Sequence, residues 1–280
     1  MSKVVTIVLY AQYVEVIMKL FWIGGSHPRH LFYINTICKE FKLSGALLEL
    51  RENLIPQPPD GLAHQDRQNF IRHFTNREQA EKKYFGEQPY PDCPTLTVGK
   101  DSLNSETSVE FLRSVDPDLV LIFGSGMVRD PLVSALPHHA VNLHLGLSPR
   151  YRGAATLFWP FYFLEPPYAG STFHYIVYEP DAGEVIHQVV PQLIPEDGIH
   201  DVACKTVVQS AQDAQILLKI FKEKGSWITR QQKATGKNFL ASDFIPEHLR
   251  VIYNLFNDDM VRQYLDGKLK CKSPTLYRQF

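Results

Sequence analysis

The sequence predicts an α/β fold: a doubly wound, mainly parallel sheet followed by a small helical tail. Short apolar runs alternate with stretches of helical spacing over most of the chain. Two of those runs close on glycine turns, Gly24-Gly25 and Gly124-Ser125-Gly126. At 280 residues, 44% hydrophobic and 21% charged, the chain has the length and composition of one large core.

Each element follows from its pattern. Leu20 to Ile23 reads as a first buried strand, and Leu31, Ile34, Ile37 and Phe41 give His30 to Phe41 a helical period. Ala46 to Leu50 is a second strand, and the proline-rich stretch Leu54 to Leu62 a loop. Gln65 to Phe85 suits a charged surface helix or helix pair, and Thr95 to Val98 a short strand. Ser105 to Ser114 is a helix capped by Asn104 or Ser105. Leu119 to Phe123 is a buried strand, Asp130 to Leu136 a brief helix, and Ala140 to His144 the next strand. Ala154 to Leu164 reads as an aromatic helix whose Phe158, Trp159, Phe161, Tyr162 and Phe163 belong to the core. Ser171 to Tyr178 and Glu184 to Leu193 form a hairpin, and Asp201 to Lys222 a long amphipathic helix. The strand–helix order is Rossmann-like, with antiparallel character added late by the hairpin.

Gln12, Glu15 and Lys19 interrupt the apolar N-terminal stretch, which argues against a membrane span or secretory signal. Met18-Lys-Leu-Phe-Trp-Ile-Gly-Gly reads as a natural domain start. The expected organisation is an N-terminal extension (1–17), a principal domain (18–224) and a small helical region (225–280), with helical spacing over Phe244 to Leu265. Its aromatic residues offer a homodimer contact. Net charge is −1, so no global field favours nucleic acid or an anionic membrane. Cys38, Cys93, Cys204 and Cys271 form no Cys-x-x-Cys pair, which suits small buried thiols in the cytoplasm.

The richest segment is His139-Ala-Val-Asn-Leu-His-Leu-Gly-Leu-Ser-Pro-Arg-Tyr-Arg-Gly153, with an Asp181-Ala-Gly183 turn beyond it. Asn142 and His144 are two apart on a strand, so both project from one face at its end. Asp181 is placed to close the group. A carboxamide, an imidazole and a carboxylate together suit acyl chemistry: an oxyanion donor, a proton carrier and its orienting acid. His138, His139, His174 and His187 have no partner at ligand spacing and read as structural, and no metal-binding cluster stands out.

Asn142-Leu-His144-Leu-Gly-Leu-Ser-Pro149-Arg-Tyr-Arg-Gly153, followed by Asp181-Ala-Gly183-Glu-Val-Ile-His-Gln188, resembles the family of formyltransferases that use 10-formyltetrahydrofolate. The resemblance spans roughly residues 18 to 215 and implies the formyltransferase fold, with Asn142, His144 and Asp181 as the catalytic group. It implies that Asp181 raises the pKa of His144, and that no metal is needed. It also implies a folate site at Phe123, Gly124, Ser125, Gly126 and Met127, completed by Tyr178 and Glu179. Gly25, Ser26, His27 and Arg29 would meet substrate, through phosphate at a helix start, and Arg150, Tyr151 and Arg152 would form a lid or anion contact.

For the acceptor, the run from Leu145 through Trp159-Pro160 is most similar to carbohydrate-tailoring members, which implies a small-molecule amino sugar, nucleotide-linked. Arg152-Gly-Ala-Ala155 also resembles the methionyl-tRNA branch, whose basic partner domain has no counterpart in residues 225–280. Hydrolysis of the formyl donor is a third outcome of the same group. From another class, a nucleotide-binding oxidoreductase would use the Gly24-Gly25 turn with Glu49 or Glu52 as ribose partner, but Gly-x-Gly-x-x-Gly is not met.

Overall fold

A computed structural model describes residues 18–50, 55–233 and 236–280. The N-terminal extension expected at 1–17, and Glu52, lie outside the described residues. The main sheet has seven strands: β1 (Leu20–Gly25), β2 (Leu43–Glu49), β3 (Thr95–Val98), β4 (Leu119–Phe123), β5 (Ala140–His144), β7 (Ser171–Tyr175) and β8 (Val185–Val189). Their spatial order is β3-β2-β1-β4-β5-β7-β8. β1 to β5 are parallel, whereas β7 pairs antiparallel with both β5 and β8. The doubly wound, mainly parallel sheet is therefore present, and the late hairpin supplies its antiparallel edge.

Every residue of β1 and β4 is buried, as expected for central parallel strands covered on both faces. Alternation sends Leu20 and Trp22 of β1, and Leu119, Leu121 and Phe123 of β4, to one face. There they meet α1 (Pro28–Cys38) and α6 (Ile199–Lys224) through Ile34, Ile37, Ala211 and Leu218. Phe21, Ile23, Val120 and Ile122 point to the other face, against α3 (Glu106–Val115) and Leu132 of the short α4 (Leu132–Ala135). On β5, Val141 and Leu143 join the first core, which leaves Asn142 and His144 on the second face.

Ser105 is the N-cap of α3, its hydroxyl accepting from Ser108 N–H at 3.3 Å. Asn104 instead donates to the Met127 carbonyl and accepts from Arg129 N–H, pinning the loop after β4. The stretch 65–85 is one helix, α2 (His64–Phe85), and it is less superficial than its charge implies, for His73 and Glu81 are buried with Phe70, Ala80 and Phe85. The aromatic helix expected over 154–164 shrinks to α5 (Trp159–Tyr162). Positive φ at Gly153, Ala155 and Leu164 turns the chain on either side and prevents a longer run. Phe158, Trp159 and Phe161 are buried as expected, but Phe163 is exposed.

The tail is helical only in short pieces. After β9 (Lys237–Phe239), which pairs in parallel with β6 (Tyr151–Gly153), come 3-10 turns, a π turn at Val251–Leu255 and α7 (Met260–Leu265). Left-handed Asn257 and Asp258 interrupt the helical period there. Phe239, Leu249, Ile252 and Val261 bury against Phe158, Trp159, Ile199 and Val202, making a second core beside the sheet. Cys204 is buried, but Cys38 is exposed, so the thiols are not uniformly interior.

Residues 277–279 run along β8, the edge of the main sheet. Gln188 N–H donates to the Tyr277 carbonyl at 2.7 Å, and Gln279 N–H donates to His187 Nδ1 at 3.1 Å. The Gln279 carboxamide spans the Ile186 and Ile228 carbonyls, each 2.7 Å away. Edge strands need such cover. Gln279→Ala removes the bridge and is expected to cost about 1–3 kcal/mol, measured as a lower urea midpoint.

Candidate active site

The strand order reverses between β1 and β4, and open α/β sheets keep their crevice outside the carboxyl ends at such a point. A cavity of about 1200 Å³ lies there. It is bordered by His27 and Arg29 after β1, residues 124–128 after β4, Asn142 and His144 of β5, and Tyr178 and Asp181 of the β7–β8 turn.

Asn142, His144 and Asp181 converge. His144 Nδ1 lies 3.3 Å from Asp181 Oδ2, and His144 Nε2 lies 2.9 Å from the Tyr151 carbonyl. Gly153 N–H donates to Asp181 Oδ2 at 3.0 Å. A fourth member was not anticipated. His174 on β7 sits opposite Asn142 in register, with its Nε2 3.2 Å from Asn142 Nδ2 and 3.5 Å from Asp181 Oδ1. Its reading as a structural histidine is corrected by this placement. Finding it from sequence would have required the β5–β7 register, which spacing alone does not fix.

Asp181 has φ +53°, a left-handed conformation an aspartate tolerates better than most residues. Its carbonyl and that of Gly183 both accept from the Gln232 carboxamide, at 2.8 and 2.7 Å. A Cβ on Gly183 would lie 1.8 Å from the Tyr175 carbonyl, so only glycine lets the turn close.

Burial raises the Asp181 carboxyl, but the His174 hydrogen bond, the His144 and His174 charges and the Gly153 N–H outweigh it and bring it down to about 2. The expectation for His144 is corrected. Asp181 does pull its pKa upward, but burial is the larger effect and holds it below the usual histidine value. The imidazole is thus neutral at rest, with an oxygen acceptor beside each nitrogen. A neutral ring can donate to only one of them, so the site favours proton uptake once negative charge develops nearby.

Of the expected folate contacts, Phe123, Gly124, Ser125, Gly126, Met127 and Tyr178 border the cavity. Gly124 has φ +78°, and a Cβ there would strike the His30 ring at 2.3 Å. Gly126 N–H donates to Glu49 Oε2 at 2.5 Å, so Glu49 holds this loop, which leaves little support for its role as a ribose partner. Leu50, Met127, Val177 and Tyr178 are exposed apolar residues at the mouth. Glu179 lies outside the lining, 3.5 Å from Arg152.

The expected substrate residues divide. His27 and Arg29 border the cavity, whereas Gly25 and Ser26 do not. Arg29 is not a free phosphate ligand, since its guanidinium is paired with buried Glu81. Arg150, Tyr151 and Arg152 are also outside the lining. Arg150 and the Tyr151 hydroxyl both donate to Glu165, at 2.5 and 2.6 Å, in a separate depression near Lys268 to Lys272. Only the side chains leave the site: the Tyr151 carbonyl meets His144, the Gly153 N–H meets Asp181, and Gly153 borders the cavity with Asn238 and Phe239 of β9. Among the described residues, no group of three or more His, Cys, Asp or Glu is placed to hold a metal, and no helix is long and apolar enough to cross a membrane.

Two measurements test this geometry. Gly183→Ala is expected to lower stability by about 1–3 kcal/mol through overpacking, and to shift the Asp181 resonance in NMR. Burial, with Arg77 nearby, pushes His200 at the start of α6 down to about 3. The unfolded chain protonates it near 6.5, so stability falls as pH drops from there toward about 3, by ~1.4 kcal/mol per unit for this group. His200→Phe should flatten that decline in urea titrations between about pH 7 and about pH 4.

A formyl transferase family model matches residues 62–220. The methionyl-tRNA formyltransferase of Thermotoga neapolitana is 29% identical over 143 residues, which is 51% of this chain and 45% of that protein. The chain therefore spans under half the length of this curated relative. Among solved structures, phosphoribosylglycinamide formyltransferase from Anaplasma phagocytophilum superposes with a TM-score of 0.54 at 17% identity, covering 80% of this chain and 98% of that one. The sugar 3N-formyl transferase WlaRD, solved with dTDP and 5-N-formyl-THF, gives 0.53 at 13% identity, covering 90% and 81%. These likenesses concern the fold, while the match over more than half its length shows that the chain belongs to the formyl transferase family.

Proposed function

We propose that the chain is an N-formyltransferase that moves a formyl group from 10-formyltetrahydrofolate to the amine of an amino sugar, nucleotide-linked. The observation that carries this reading is the convergence of Asn142, His144 and Asp181 on one cavity at the strand ends. The residues suit a reduced folate. The loop 124–127 is held by Glu49 and Asn104, and exposed Leu50, Met127 and Tyr178 offer apolar surface to a flat ring. When bound, the folate supplies the formyl group.

The chain's own groups then divide the work. The acceptor nitrogen bonds to the formyl carbon, the bond to the donor nitrogen breaks, and one proton passes from the first nitrogen to the second. Asn142 Nδ2 donates to the formyl oxygen as negative charge grows there, worth about 3 kcal/mol for one such donor. That one proton travels by way of His144, whose positive form is stabilised by ionised Asp181 and the Tyr151 carbonyl. His174 holds the Asn142 amide and the Asp181 carboxylate in place. Asp181, already ionised, takes the proton from the amine and hands it to His144, which returns it to the donor nitrogen.

The sugar acceptor draws support from the sequence run 145–160 and from the WlaRD likeness. The Thermotoga relative favours a methionyl-tRNA acceptor as the second reading, but a net charge of −1 supplies no general attraction for phosphate. A small-molecule partner and a cytoplasmic location go with the first reading, since the four free thiols suit a reducing compartment. Exposed Leu240, Ile245 and Leu255 on the tail suit a homodimer contact.

The test is formyl transfer to a panel of amino-sugar nucleotides, followed by folate absorbance. Asn142→Ala, His144→Ala and Asp181→Ala should each lower kcat by about 10²–10³. Near-full turnover in all three would overturn the reading.

A further inference from the structure

The cavity extends beyond the Asp181 group into a region between α2 and α6. His73, Arg77 and Glu81 follow one another at four-residue spacing on one face of α2, and His200 faces them from α6. Arg29 and Arg77 both donate to Glu81 Oε1, Arg77 Nε at 3.1 Å. The other carboxylate oxygen, Glu81 Oε2, is buried and receives no hydrogen bond. His200 Nε2 is in the same condition. The His200 ring lies against His73, centroids 4.4 Å apart, and hydrogen-bonds to the His73 backbone. Its remaining nitrogen is then an acceptor.

Two buried acceptors on one cavity wall are costly unless a ligand satisfies them. Their character limits that ligand. An anion brings no donor to a carboxylate oxygen. A second ammonium is opposed by the two guanidiniums, which outnumber the single carboxylate. A neutral hydroxyl meets both conditions. Phe74, Phe158 and Phe244 line the same region, with Phe158 and Phe244 edge to face at 4.9 Å. Aromatic walls with a few placed acceptors are the composition of a pocket for a ring that is apolar on its face and hydroxylated at its rim.

We propose that Glu81 Oε2 and His200 Nε2 form a sugar subsite, accepting hydrogen bonds from ring hydroxyls of the acceptor beside Phe74 and Phe244. The inference rests on the amino-sugar reading and assigns the residues that recognise the sugar.

Calorimetric binding tests it without formyl transfer. UDP and dTDP are compared with their hexose-linked forms, on wild type, Glu81→Gln and His200→Phe. For at least one nucleotide, wild type should bind the sugar-linked form about tenfold more tightly than the bare nucleotide, the size of one charge-assisted hydrogen bond. Both variants should bring that ratio toward one, with tetrahydrofolate affinity retained. If Glu81→Gln fails to fold once Arg29 and Arg77 lose their charge partner, His200→Phe and deoxyhexose-linked nucleotides on wild type carry the test. A ratio near one in wild type for both nucleotides, or an undiminished ratio in the folded variants, overturns the subsite. A normal ratio without formyl transfer to any acceptor overturns the reaction instead and leaves the subsite standing.

Discussion

The Asp181 carboxylate is the interaction on which the site depends. Its oxygens meet His144, His174 and the Gly153 amide, so β5, β7 and the end of β6 are referred to one group. Burying a carboxylate is unfavourable unless donors surround it. Here the donors are the reactive residues, so the arrangement that stabilises the charge also positions the chemistry. Gln232, reaching in from beyond α6, fixes the turn's backbone and ties the C-terminal part of the chain to the turn that carries this carboxylate.

That dependence explains the contrasting titration of neighbouring groups. Asp181 stays ionised because it collects donors, and His144 stays neutral because it is deep, a burial that outweighs the upward pull of Asp181 and the Tyr151 carbonyl. A pair so divided carries a proton vacancy and a negative charge side by side. General acid–base work draws on that kind of separation.

The central sheet and the Asn142–His144 pair were legible in the sequence because they rest on local periodicity, whereas Asp181 entered through its turn and the family resemblance. β1, β4 and β5 are largely apolar runs, and the two-residue period alone places Asn142 and His144 on one face. His174 was not legible, because its meeting with Asn142 comes from pairing between strands about thirty residues apart. The α2 wall was hidden for a related reason. His73, Arg77 and Glu81 sit in a strongly charged segment whose composition signals a solvated face, and only the packing of α2 beside α6 buries His73 and Glu81 and half-buries Arg77. Arg150 and Tyr151 show the reverse error. Their place next to the motif suggested the site, but their side chains turn to Glu165 while the backbone of the segment stays at the Asp181 group.

The long helix α6 joins two regions that would otherwise vary separately. Its first turns carry His200 beside the cavity, while Ala211, Leu217 and Leu218 further along are sealed into the sheet core. Any drift that rotated or slid this helix to suit a new ligand would be felt at once in the close-packed interior. α2 is held as firmly, by Ala80 and Phe85 in the sheet core, by Phe70 in the second core and by the Asp66–Arg250 pair. Ligand preference can therefore change only through the side chains that α2 and α6 turn to the cavity, with both helix axes held.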